Sequence, residues 1–448
     1  MEEVMDTESK NRIVRLICIL FGVVLLVVMA LCMIKAVQKN SENGNEEGET
    51  EYLSADTNTP EPENAGERET ETAESAQETA SSDPEEVNPA AADETVSEEN
   101  AEETSASAYP VNDCETVLGT RLSEKFRNDF YVGVCVIYSM IGNEAAEKLI
   151  LEQFNSVTFE NEMKPEVLLN RTASIVNDEL TVVWPKNTIA MLDWARDNGL
   201  SVRGHTLVWY SQTPDWIFYE DYDTTKELVD RDEMLRRMES MIRQEMEYIN
   251  ENYPGLVYAW DVVNEAFSDT GSGLRENYWY QIIGEDYIEY AFTYARKYAG
   301  DIKLFLNDYN TYINGKYTAM YKVASDLAEK GLLDGIGMQS HLDVNYPSAA
   351  LFCGTVEKFA KLGLEIEITE MDITTEDTSE AGLKKQTDMY RDIFEKLVSW
   401  DREGKINLTA VTIWGLTDKV SWRAAKVPTL FNEDLSPKDA YTAIWEIE

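Results

Sequence analysis

Glu265 and Glu370 each close a short apolar run, Trp260-Asp261-Val262-Val263-Asn264-Glu265 and Ile366-Glu367-Ile368-Thr369-Glu370, of the kind that forms a buried β-strand. Among 84 acidic residues a single glutamate carries no information. Two at matching strand ends do, and the only two histidines, His205 and His341, occupy the same position in two further strand-like runs. A lone histidine there is most often a satisfied core residue; four strands ending alike point to a site. Two carboxylates facing each other across a cleft are the apparatus of glycoside hydrolysis. One protonates the departing oxygen while the other attacks or stabilises the sugar carbon.

The elements that must hold these groups are eight strand candidates alternating with helical stretches: Tyr131 to Val136, Ser156 to Glu160, Ser201 to Trp209, Val257 to Glu265, Lys303 to Asn307, Gly335 to His341, Glu365 to Glu370 and Ala410 to Gly415. Helical periodicity is clearest in Glu233 to Tyr253, Tyr278 to Tyr298 and Leu383 to Trp400. Eight β-then-α units in residues 111–448 predict an α/β fold, a closed (β/α)8 barrel. An open doubly wound sheet would carry a glycine-rich nucleotide turn after its first strand, and none is present. Barrel enzymes work at the C-terminal ends of their strands, and side chains alternate along each strand. His205 therefore shares a face with Leu207 and Trp209, Gln339 with His341, and Thr158 with Glu160.

Sugars present apolar C–H faces that stack on aromatic rings and hydroxyls that need polar partners. Trp209, Trp414 and Trp422 stand near strand ends, and Asn161, Lys164, Gln212 and Asn264 stand beside them. One such tryptophan alone is more often core than platform. The net charge of −45 disfavours nucleic acid, because no basic face is available for phosphates. Cys114, Cys135 and Cys353, an odd number without a CxxC pair, argue against a disulfide framework and a zinc site, while leaving one bridge open.

The N-terminal quarter has a different composition. Residues 16–34 form an uncharged apolar run of 19 residues between Arg15 and Lys35, long enough to cross a bilayer as a helix. A membrane span is favoured over a cleaved signal, since the run exceeds a usual signal core and no small-x-small cleavage site follows; a buried core helix is the other rival. Lys10, Arg12 and Arg15 before the run, against Lys35 and Lys39 after it, predict residues 1–15 in the cytoplasm and the rest outside. The linker, residues 35–110, should be disordered: 41–110 carry 22 acidic side chains against the single base Arg68. The expected location is the cell membrane, single-pass, with the catalytic part extracellular. No appended carbohydrate-binding module is expected after the last helix.

The segment Phe154 to Lys164, with Arg203 to Trp209, Trp260 to Ala266, Asn307 to Asn310, Gln339 to His341, Ile368 to Asp372 and the terminal Trp414 to Asp418 with Trp422, resembles glycoside hydrolase family 10, the endo-β-1,4-xylanases. The resemblance spans the whole predicted barrel. It implies Glu265 as acid/base, Glu370 as nucleophile, and a double displacement with retention. It implies that Asn264 holds the 2-hydroxyl of the sugar being cleaved and that Lys164, His205, Trp209, Gln339 and His341 complete that subsite, with His341 also bonded to the nucleophile. Glu160, Asn161, Gln212 and Trp414 would hold the next sugar, and Trp422 would close over the site. The implied partners are xylan and xylo-oligosaccharides; no metal, organic cofactor or obligate protein partner is implied. Two departures stand out: Tyr210 where the family usually has histidine, and Pro165 where it usually has tryptophan. Tyr210 has the opposite strand parity to His205 and is expected to support the site rather than touch the sugar. Rival readings are another β-1,4-glycanase of the same barrel type, acting on glucan or mannan, and a non-catalytic surface polysaccharide-binding protein.

Overall fold

The computed structural model describes residues 109–448 except 113, 115, 117 and 272. The expected N-terminal segment, span and all but the end of the linker lie outside the described residues. Among the described residues, no helix is long and apolar enough to cross a membrane.

Nine strand segments run in parallel: β1 (Tyr131–Val136), β2 (Ser156–Phe159), β3 (Ser201–Val208), β4 (Val257–Asn264), β5 (Lys303–Asp308), β6 (Gly335–Met338), β7 (His341–Asp343), β8 (Glu365–Thr374) and β9 (Leu408–Ile413). From β1 to β6 each pairs with the next, β6 and β7 both pair with β8, β8 pairs with β9, and β9 returns to β1 through Val132↔Val411. β6 and β7 are therefore one interrupted stave, and the sheet is a closed eight-stranded parallel barrel. The predicted strand Gly335 to His341 is corrected to these two pieces. The break lies at Gln339 and Ser340, where Ser340 has φ 66, and Gln339 turns its carbonyl to accept from the Glu370 N–H at 2.9 Å.

The outer helices form where amphipathic periodicity meets a cap. Asp230 accepts from the Glu233 N–H to start Arg231–Asn252, and Ser379 accepts from Gly382 to start Glu380–Arg402. The predicted helix Tyr278 to Tyr298 is two, Tyr278–Ile283 and Tyr287–Tyr298. They are separated at Gly284, whose φ of 108 is open to glycine and closed to helix.

Side-chain alternation splits the barrel into two cores. Inward, Arg203 of β3 bridges Asp261 of β4 and Glu367 of β8, all about 1% exposed. Outward, Trp260 lies flat on Gly204, where an added Cβ would fall 2.4 Å from the indole. Above this layer, helix Arg231–Asn252 buries Met234, Met238, Met241, Ile242, Met246 and Ile249, and among them Glu245. Neither Glu245 oxygen has a hydrogen-bond partner among the described residues, and burial pushes its pKa well above the usual carboxylate value.

An unfolded glutamate ionises near 4.3, whereas folded Glu245 keeps its proton far above that. Its contribution to stability is therefore lost as pH rises from about 4.3 towards the folded value, at about 1.4 kcal/mol per pH unit. Glu245→Leu should stabilise the fold, with an advantage over the parent that grows between pH 4.5 and pH 8 in urea unfolding. A pH-independent difference would show that the group is ionised in the native state.

Candidate active site

The site is assembled where β2 to β9 end. β4 stops at Asn264, and the chain leaves it through Glu265 in the left-handed conformation, φ 55, with the Glu265 N–H donating to the Asn307 carbonyl at 2.9 Å. This turn aims the Glu265 carboxyl across the strand ends, where Trp209 Nε1 donates to Oε2 at 2.9 Å and Gln339 Nε2 donates to Oε1 at 3.0 Å. Both donors are neutral.

Glu370 sits within β8, opposite the interruption between β6 and β7, and is 4% exposed. Asn307 Nδ2 donates to its Oε1 at 2.9 Å, and His341 Nε2 lies 3.2 Å from Oε2. The other ring nitrogen, Nδ1, lies 3.0 Å from Asp372 Oδ2. A ring between two carboxylates donates to both only when doubly protonated. Burial opposes the charge on His341, but Asp372 and Glu370 push its pKa up to about 10. Burial likewise works to raise the Glu370 pKa, yet the hydrogen bond from His341 and the positive field of the histidines hold it below the usual value. Asp372 is anchored in turn by Trp422 Nε1 at 2.9 Å and Arg423 Nη1 at 2.6 Å.

Amide orientation follows from the same network. Thr369 Oγ1 donates to Asn307 Oδ1 at 2.7 Å, which turns Asn307 Nδ2 towards Glu370 and Asn264. Asn264 Oδ1 accepts from Asn307 at 3.0 Å and Gln339 at 3.1 Å, leaving its Nδ2 for the cleft. His205 Nδ1 is held by Asp261 at 2.9 Å. Lys164 donates to Gln212 at 2.7 Å and Asn161 at 3.3 Å and lies 4.9 Å from the Trp209 ring; burial lowers its pKa and raises that of Glu160. Trp414 is nearly buried edge-on to His205, 5.6 Å between centroids, and Trp422, 60% exposed, stands 4.9 Å from the His341 ring.

All thirteen predicted site residues line one cleft of about 570 Å³: Glu160, Asn161, Lys164, His205, Trp209, Gln212, Asn264, Glu265, Gln339, His341, Glu370, Trp414 and Trp422. Tyr309 and Arg423 line it too and were not predicted, although Tyr309 follows a strand end and Arg423 follows Trp422. Tyr210 does not line this cleft, but it stands beside Glu265; burial and that carboxylate raise its pKa, and its ring carries the Arg275 guanidinium at 4.3 Å. Cys114, Cys135 and Cys353 form no disulfide among the described residues. Among the described residues, no group of three or more His, Cys, Asp or Glu side chains is arranged to hold a metal ion. The cleft thus pairs one carboxylate held ionised by an imidazolium with one held by neutral donors, an arrangement able to supply negative charge and a proton to the same bond.

The sequence model of glycosyl hydrolase family 10 matches residues 121–447. Endo-1,4-beta-xylanase B of Butyrivibrio fibrisolvens is 38% identical over 326 residues, covering 70% of this chain and 51% of that protein. The bifunctional endo-1,4-beta-xylanase XylA of Ruminococcus flavefaciens is 40% identical over 334 residues, covering 72% and 34%. An Acetivibrio thermocellus protein named exoglucanase XynX is 37% identical over 330 residues, covering 72% and 29%. The chain therefore spans about half or less of these curated relatives. Among solved structures, the CBM22-1 and GH10 modules of Clostridium thermocellum endo-1,4-beta-D-xylanase 10B, complexed with xylohexaose, superpose with TM-score 0.68 at 37% identity, covering 73% of this chain and 67% of that one. The intracellular xylanase of Thermoanaerobacterium saccharolyticum, as a mutant complexed with xylotetraose, gives TM-score 0.66 at 36% identity, covering 72% and 97%.

The charged triad carries a pH signature that NMR can read, because the chain has only two histidines. His341 titrates near 6.5 when unfolded and near 10 when folded, so the stability it contributes is complete below about 6.5 and is lost as pH rises through about 10. One imidazole should remain doubly protonated at pH 8, and Asp372→Asn should move its titration to lower pH. Both rings already neutral at pH 8 in the parent would contradict the charge assignment.

Proposed function

The chain belongs to glycosyl hydrolase family 10, and from that premise we propose that it cuts β-1,4-xylosidic bonds within xylan by double displacement with retention. The observation that carries the reading is the unequal support of the two carboxylates in one cleft: His341 and Asn307 on Glu370, Trp209 and Gln339 on Glu265. Glu370 attacks the anomeric carbon as the glycosidic bond breaks, and Glu265 gives its proton to the departing oxygen. Glu265, now ionised, takes a proton from a water molecule whose oxygen attacks the same carbon, and the bond to Glu370 breaks to restore both groups. Asn264 Nδ2 is free to donate to the 2-hydroxyl of the sugar being cleaved. Lys164, His205, Gln339 and His341 surround that sugar, Trp209 bounds it, and Trp422 covers it. Glu160, Asn161, Gln212 and Trp414 take the next one.

The xylohexaose and xylotetraose complexes of related proteins support xylan as substrate. The relative named as an exoglucanase favours a second reading, in which glucan is also cut. A non-catalytic polysaccharide-binding role is separated from both by release of reducing ends. The sequence of residues 16–34 also leads us to propose anchorage in the cell membrane with the catalytic part outside. The full chain should then sediment with membranes, and protease added to intact, wall-stripped cells should remove the barrel; cleavage only after lysis would reverse the orientation.

Loss of a general acid costs about 100- to 10,000-fold on a substrate that needs protonation and little on one that does not. Glu265→Ala should therefore lose xylan hydrolysis while still releasing an activated phenol from an aryl β-xylobioside in a first turnover. Glu370→Ala should lose both. Variants indistinguishable on the aryl substrate would reject the division of roles, and a first-formed α-anomer from the parent would reject retention.

A further inference from the structure

Glu265 sits in a backbone conformation uncommon for residues with a Cβ, φ 55, at the start of a loop that must be held from outside the strand. Arg275 does part of this. Its N–H donates to the Ala266 carbonyl at 2.7 Å and its Nε to the Glu265 carbonyl at 3.2 Å. Its Nη2 reaches Asp269 Oδ2 at 3.0 Å and the Tyr309 hydroxyl at 3.1 Å. Asp269 is where these strands of contact meet: the Tyr309 hydroxyl donates to Oδ2 at 2.6 Å and Lys316 Nζ to Oδ1 at 3.0 Å. Lys316, 1% exposed, also pairs with Asp308 at 2.9 Å and lies 3.5 Å from the Tyr309 ring centre. Asp308 closes the circuit by accepting the Phe267 N–H at 3.2 Å.

We propose that Asp269 is a positioning residue for the proposed acid/base: gripping Arg275, Lys316 and Tyr309 together, it fixes the Glu265 carboxyl and the Tyr309 ring on the leaving-group side of the cleft. The inference rests on the hydrolytic reading of that cleft. Asp269 touches neither Glu370 nor the side chains assigned to the sugars beyond it, so its effect should be confined to steps that use a protonated leaving group. Partial burial works to raise the Asp269 pKa, but the bonds from Tyr309, Lys316 and Arg275 hold it down to about 2, so the grip persists across the working pH range.

The test compares full-length Asp269→Ala and Asp269→Asn with the parent on xylohexaose and on 2,4-dinitrophenyl β-xylobioside, whose leaving group needs no proton. Displacing a catalytic group by about 1 Å can cost on the order of 100-fold. Asp269→Ala should lower kcat/KM on xylohexaose by about 10- to 100-fold and on the aryl substrate by less than about 3-fold, with Asp269→Asn between it and the parent. In a Glu265→Ala background the same substitution should add no further loss on xylohexaose. Thermal unfolding of each variant confirms that it is folded, and the ratio between the two substrates is unaffected by a change in the amount of active enzyme. Equal losses on both substrates, no loss on either, or a full additional loss in the Glu265→Ala background would overturn the role. A parent inactive on both substrates would overturn the hydrolytic reading itself, and the positioning role with it.

Discussion

A buried anion costs several kcal/mol unless donors replace the water it has lost, and Glu370, 4% exposed, is such an anion at the mouth of a closed barrel. The rest of the cleft follows from how that demand is met. Asn307 supplies a neutral donor and His341 a charged one. An imidazolium in the same low-dielectric surroundings needs a second anion, which is Asp372, and Asp372 needs Arg423 and Trp422. Charges alternate from the cleft outward through Glu370, His341, Asp372 and Arg423, so each member faces a partner of opposite sign. Removing one member leaves its neighbours unpaired, which costs more than the pair contributes. The interruption of the sixth stave belongs to this arrangement: the turn at Ser340 brings Gln339 and His341, two residues apart, onto the two carboxylates.

A second alternating chain runs inward. His205 borders the cleft, Asp261 holds it, Arg203 holds Asp261, and Glu367 takes the other side of the guanidinium. Burial alone would raise the pKa of both acids. Arg203 and His205 together bring Asp261 below its ordinary value, while Glu367, which has Arg203 but also the repulsion of Asp261, is raised to about 7. The cation is thus shared unequally, and the firm negative charge lies on the cleft side, where it orients the His205 ring.

These physical demands explain what was legible in the sequence and what was not. The strands were legible because a fully buried parallel strand reads as an apolar run, and a polar residue in it is conspicuous; Glu265, Glu370, His205 and His341 were all found this way, although Glu370 and His205 lie within their strands and His341 begins one. Asn307, Asp261 and Asp372 escaped a role because their partners sit on other staves, and residues such as Asn307 and Glu370 are 63 apart in the chain. The split of Tyr278 to Tyr298 at Gly284 was signalled by the glycine itself, but apolar periodicity continues across it and masked the stop. Tyr210 was placed off the cleft wall by parity alone, and its stacking under Arg275 gives that position a physical occupation.

The inequality between the two glutamates is the feature on which the proposed division of roles rests. A carboxylate facing a cation and a neutral amide is stabilised as an anion; one facing an indole N–H and a neutral amide accepts hydrogen bonds without a matching full charge. Unequal donors are what distinguish two like-charged groups placed in one cleft. Gln339 makes the inequality structural: its amide reaches Glu265 and Asn264 while its carbonyl accepts from the Glu370 backbone. The same residue thus supports Glu265 with its side chain and registers it against Glu370 with its main chain. The positions of the two glutamates are therefore coupled through a single residue.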